Sequence, residues 1–157
     1  MQQMAVAFTW STIALVPACG RQQAAPPTPS TAAVAAHEDS IITSDSVKLW
    51  YRVVGRGQET VIVPFALYHA KQLDGLAHGR RLVLYDPRGR GRSDTVPTRK
   101  VSLDANLRDV EAIRVAVGAE RVTLIGWSDG GMEMFVYTLQ HPGRVTRLVQ
   151  LAPVAPR

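Results

Sequence analysis

The sequence predicts an α/β fold, a mostly parallel sheet with an N-terminal hairpin, and three observations carry that prediction. Residues 60–63, 81–87, 122–125 and 145–151 are short runs rich in β-branched and aliphatic side chains, and 122–125 has the composition of a strand covered on both faces. Helical patterns fall between those runs, clearest where Leu103, Leu107, Val110, Ile113 and Val117 share one face. Residues 48–54 alternate Leu49, Tyr51 and Val53 with Lys48, Trp50 and Arg52, so they pair with residues 40–43 across the turn Ser44-Asp45-Ser46. Strands alternating with helices imply a parallel sheet with right-handed crossovers and a ligand site beyond the carboxyl ends of the strands.

A chain of 157 residues, 46% hydrophobic and 20% charged, holds one globular domain with a modest core. Its organisation divides into a leader over residues 1–19, a linker over 20–37 and a folded part over 38–157. The apolar stretch 5–16 is too short to cross a bilayer comfortably and matches the core of an export signal. Leu15-Val16-Pro17-Ala18-Cys19 resembles a bacterial lipobox, in which Cys19 would be lipidated; this predicts an exported protein attached to a membrane through Cys19, with a cytoplasmic location as the alternative. The linker, rich in Ala, Pro, Thr, Gln and Ser, lacks the bulky apolar side chains that would offset the entropy of ordering it. A single cysteine excludes an internal disulfide and a cysteine-based metal site.

Within the folded part, Gly55-Arg56-Gly57-Gln58 ends the hairpin and Pro64 closes the strand 60–63. A helix is expected around residues 70–77, and the strand 81–87 delivers Asp86 to its carboxyl end. Ser102 reads as the N-cap of the next helix and Gly118 as its stop. A helix over 132–141 ends at Pro142-Gly143, before the strand 145–151.

The stretch that carries chemistry is Gly126-Trp127-Ser128-Asp129-Gly130-Gly131, a sharp turn between a buried strand and a helix. In a Gly-x-Ser-x-Gly turn the serine stands at the apex, and larger side chains two positions either side would collide across the bend. The following helix turns unpaired N–H groups toward the same point, where an oxyanion on a substrate carbonyl would form. Ser128 is therefore the candidate nucleophile.

Two motifs together resemble the N-terminal half of the α/β-hydrolase superfamily, the esterases, lipases and proline iminopeptidase-like enzymes. Tyr85-Asp86-Pro87-Arg88-Gly89-Arg90-Gly91-Arg92-Ser93-Asp94 is similar to the loop after that family's fourth strand, and the Ser128 turn to its nucleophile elbow. The helix containing Leu107-Arg108-Asp109-Val110 and the segment His141-Pro142-Gly143-Arg144 add weaker similarity.

The resemblance implies a serine hydrolase acting on a small-molecule ester or amide through an acyl-enzyme on Ser128, with no cofactor and no metal. It also implies that the Asp129 backbone N–H is one oxyanion donor and that the second comes from Phe65 or Ala66. Most relatives have His-Gly where this chain has Pro64-Phe65-Ala66-Leu67, and Pro64 has no N–H to give. The family's acid and histidine come from later loops, so the chain is expected to be a fragment, inactive alone and poorly soluble at its last strand. His37, His69, His78 and His141 are the four histidines, and His69 alone lies near the oxyanion loop in sequence. Asp129 reads as a carboxylate at a helix N-terminus rather than a triad acid.

Two other classes compete. A fold of this kind without its catalytic partners is a binding module. The cluster Arg80, Arg81, Arg88, Arg90 and Arg92 would serve a nucleic-acid partner, but aromatic side chains for base stacking are scarce beside it. Solvated arginines pairing with Asp86 and Asp94 are the simpler reading, so no nucleic-acid partner is expected.

Overall fold

The computed structural model describes residues 35–152. The leader, the proposed lipidation site Cys19 and nearly all of the linker lie outside the described residues.

Six strands form one sheet in the order β1-β2-β4-β3-β5-β6. They are β1 (Ala36–Ile42), β2 (Lys48–Val54), β3 (Thr60–Pro64), β4 (Arg81–Tyr85), β5 (Val122–Trp127) and β6 (Val145–Leu151). β1 and β2 are the antiparallel hairpin, β2 joins β4 antiparallel, and β4, β3, β5 and β6 run parallel. The hairpin reaches further back than its sequence pattern indicates: Ala36 and His37, placed in the linker above, pair with Val54 and Val53.

The helices are α1 (Ala66–Leu73), α2 (Leu103–Ala116) and α3 (Asp129–Gln140). Alternation along the strands divides the core between the two faces. Ile62, Val83, Tyr85, Val122 and Leu124 face α2 and α3, where Leu107, Val110, Ile113, Met134 and Tyr137 meet them. Val61, Val63, Leu82, Leu84 and Ile125 face the other side, covered by Ala66, Ala70 and Leu73 of α1. That double burial is why these strands read as unbroken apolar runs.

The Ser102 hydroxyl accepts the Ala105 N–H at 3.2 Å, the N-cap expected from sequence. Gly118, just past the end of α2, has φ +64°, which glycine adopts without strain. Helix α1 departs from expectation by starting at Ala66 and giving way to a 3₁₀ turn over Asp74–Ala77, so residues 70–77 are not one helix. Strand β6 is the last strand of the described sheet, with Val149 and Leu151 41% and 47% exposed, the uncovered apolar edge expected there.

Candidate active site

The carboxyl ends of β3, β4 and β5 place Phe65, Asp86 and Ser128 along one rim of the sheet. At Ser128 the backbone has φ 53° and ψ −124°, a region that L-residues other than glycine rarely occupy and that costs on the order of 1–3 kcal/mol. Hydrogen bonds at both ends hold the strain in place: the Ser128 N–H donates to the Leu151 carbonyl at 3.1 Å, and the Ser128 carbonyl accepts from Gly131 at 2.9 Å. The hydroxyl has no hydrogen-bond partner among the described residues. Neither do the N–H groups of Asp129 and Gly130, which open α3 and therefore lack intrahelical acceptors.

The two glycines of the motif are required for different reasons. A Cβ on Gly126 would lie against the Gly130 carbonyl and 2.6 Å from the Gly131 Cα, the collision across the bend anticipated from the motif. A Cβ on Gly130 instead meets the Phe65 ring at 2.9 Å and the Pro64 ring at 3.2 Å. Gly130 thus permits α3 to approach the end of β3, a reason the motif alone does not supply.

Phe65 itself adopts φ 61° and ψ 49°, left-handed at the start of α1. Neither its N–H nor that of Ala66 has a partner among the described residues. The next N–H, from Leu67, donates to Asp86 Oδ1 at 2.9 Å, and Asp86 Oδ2 accepts the Arg92 N–H at 3.0 Å. Asp86, 1% exposed, therefore clamps the head of α1 to the loop after β4. Asp86 and Asp94 are expected from the sequence to pair with the neighbouring arginines. Both instead accept backbone N–H groups, Asp94 from Lys48 at 2.9 Å, because the fold brings amides from distant segments, Lys48 and Leu67, against these carboxylates.

The arginines find other carboxylates. Arg88 is buried and forms two-pronged contacts with Asp109 on α2 and Asp45 in the hairpin turn. Its hydrogen bonds hold the Asp45 carboxyl well below the usual carboxylate range. Arg92 lies 4.3 Å from the centre of the Trp50 ring and pairs with Glu38. Arg90 reaches over the Phe65 ring at 5.9 Å. Phe65, Tyr68, Arg90, Trp127, Ser128 and Asp129 enclose an open cleft of about 140 Å³. A larger hollow of about 510 Å³ lies at the amino ends of the strands, lined by Glu59, Arg81, Arg121 and Arg147, away from the rim where parallel sheets bind ligands.

Beneath the elbow, the Asn106 amide donates to Glu133 Oε1 at 2.6 Å, while Glu133 Oε2, Asn106 Oδ1 and the Tyr85 hydroxyl are buried with no partner among the described residues. Burial pushes the Glu133 carboxyl up, against the opposing effect of that amide. The same cause pushes the Tyr85 hydroxyl well above its ordinary value. No group of three or more His, Cys, Asp or Glu side chains suited to a metal ion occurs among the described residues.

Residues 65–157 match the family described as alpha/beta hydrolase fold. The chain belongs to this family. Among curated relatives, the alpha/beta hydrolase chain is 30% identical over 128 residues to a non-heme chloroperoxidase of Streptomyces lividans, covering 74% of this chain and 45% of that protein. It is also 30% identical over 118 residues to a serine hydrolase of Mus musculus, covering 69% and 40%. Among solved structures, an esterase from Exiguobacterium antarcticum superposes with a TM-score of 0.68 at 26% identity, covering 74% of this chain and 46% of that one. The chain spans less than half the length of these relatives.

Of the residues singled out from sequence, the alpha/beta hydrolase fold brings Ser128, Asp129 and Phe65 together around one cleft, with Ala66 next to Phe65 at the head of α1. His69 packs edge-on against Trp127 with ring centres 5.0 Å apart and makes no hydrogen bond to Ser128. His37 lies in β1, His141 stacks on Tyr137 at the far end of α3, and His78 bonds the Gly75 carbonyl. Sequence reasoning missed Tyr68, Trp127 and Arg90 as cleft walls. Tyr68 and Trp127 are 51% and 46% exposed, and large exposed aromatics beside a turn of this kind are the signal that could have found them.

Proposed function

We propose that the protein is a serine hydrolase that cleaves a small-molecule ester or amide through an acyl-enzyme on Ser128. The observation that carries this reading is the strained Ser128 at the head of α3, its hydroxyl unpartnered beside two N–H groups that α3 leaves open. The esterase and the serine hydrolase among its relatives support it.

The Ser128 hydroxyl gives its proton to a histidine, its oxygen bonds the carbonyl carbon, and the carbonyl π pair moves onto oxygen. The Asp129 N–H and that of Phe65 or Ala66 receive this oxyanion. Collapse breaks the bond to the alcohol or amine, which leaves with the proton, and water repeats the sequence to release the acid. None of the described histidines hydrogen-bonds the Ser128 hydroxyl, so the described part on its own is expected to turn over little substrate.

Hydrolysis of a p-nitrophenyl ester by the whole protein tests the reading. Ser128→Ala is expected to lower kcat/KM by roughly 10⁴-fold or more. Undiminished hydrolysis in that variant would overturn it.

A further inference from the structure

The loop after β4 carries three arginines in five residues, Arg88, Arg90 and Arg92, and they are used differently. Arg88 is matched by two carboxylates and Arg92 by Glu38 and the Trp50 face. Arg90 has no ion pair and no side-chain hydrogen bond among the described residues, and it lines the same cleft as Ser128. Arg90 is exposed, and its guanidinium lies over the Phe65 ring, 5.9 Å from its centre, at the wall of the small cleft that contains the candidate nucleophile.

We infer that Arg90 is a specificity residue that selects an ester or amide carrying a carboxylate. The inference rests on the serine-hydrolase reading above. A guanidinium recognises a planar carboxylate through two parallel N–H donors, and at an exposed position such as this the attraction is modest and screened by salt. Phe65, Tyr68 and Trp127 form the apolar walls of the cleft and suit an apolar spacer between the carboxylate and the scissile carbonyl. Asp129 bears on where the carboxylate sits: it lines the cleft on the elbow side and makes no ion pair with Arg90. Its charge repels an anion there and directs it toward Phe65 and Arg90.

The test compares two fluorophosphonates of equal chain length on the whole protein, one ending in a methyl group and one in a carboxylate. At low salt the carboxylate probe is expected to modify Ser128 about fivefold faster, an advantage that shrinks at high salt. Arg90→Gln brings the ratio of the two rates to one or below, and Arg90→Lys retains part of the preference. A ratio unchanged in Arg90→Gln overturns the inference.

A second readout does not depend on a reactive serine. In Ser128→Ala, hexanoate and hexanamide are titrated while the Trp127 indole N–H resonance is followed by NMR. Hexanoate binds about fivefold more tightly, and the preference disappears when Arg90→Gln is added. Equal binding in the presence of Arg90 refutes the proposal. Failure of both probes to modify Ser128, with hexanoate still preferred, refutes the serine-hydrolase reading instead.

Discussion

The two ends of α3 are treated in opposite ways. At its C-terminal end the Tyr137 hydroxyl donates to Glu111 at 2.6 Å, Arg114 grips the same carboxylate at 2.8 and 2.9 Å, and Arg144 joins it from beyond the helix. At its N-terminal end, Ser128 has a rare backbone conformation, its hydroxyl is unpartnered and two N–H groups are open. Glu133, one turn in, is half-buried, with one carboxylate oxygen out of reach of water and unmatched. Unsatisfied polar groups and strained dihedrals cost stability, so their concentration at the end that meets the cleft marks where stability gives way to chemistry. The network at the other end keeps the helix seated while its head is strained.

Substitutions at the two ends should therefore move stability in opposite directions. Glu111→Gln at the anchored end has the largest expected effect, a loss of about 2 kcal/mol at pH 7 by urea unfolding. The hydrogen bonds from Arg114 lower the Glu111 carboxyl to about 2, with Tyr137 and Arg144 adding to them. A depressed carboxyl stabilises the fold above its unfolded value and loses that contribution as the pH falls toward 2. The variant should accordingly show a shallower acid unfolding profile over that window, and an unchanged profile would detach Glu111 from the anchoring.

Tyr137→Phe removes one donor from the same network and should cost about 1 kcal/mol. At the strained end the sign reverses. Ser128→Gly relieves the positive φ and should stabilise by up to about 1 kcal/mol; a loss of stability would mean that the conformation is not strained.

Glu133→Gln should stabilise by about 1 kcal/mol at neutral pH. Burial raises this carboxyl, so its charge destabilises the fold once the pH rises through its folded value. The gain should therefore vanish in acid, and thermal unfolding at two pH values checks it.

Much of this contrast could be read from the sequence. The central strands β3, β4 and β5 betray themselves because burial on both faces leaves them few polar positions, and the elbow because a buried run breaks at two glycines two residues either side of a serine. The head of α1 could not be read. Phe65 takes a left-handed conformation usually signalled by glycine, and the Leu67 amide is secured by Asp86 from 19 residues away. The arginine pairing was equally hidden, since Arg88 meets Asp109 and Asp45 through tertiary contacts that no local pattern records. Anchoring of α3 by Glu111 is hidden only in part: Arg114 lies one turn along α2, whereas Tyr137 and Arg144 come from 26 and 33 residues further along the chain.

The most direct measurement is the site of covalent modification. Treatment of the whole protein with a neutral fluorophosphonate, followed by trypsin and mass spectrometry, isolates the peptide 122–144, in which Ser128 is the only serine. A single adduct on Ser128, absent from Ser128→Ala, is the predicted result. An adduct on another residue, or one that persists in the variant, would contradict the assignment of Ser128 as the nucleophile.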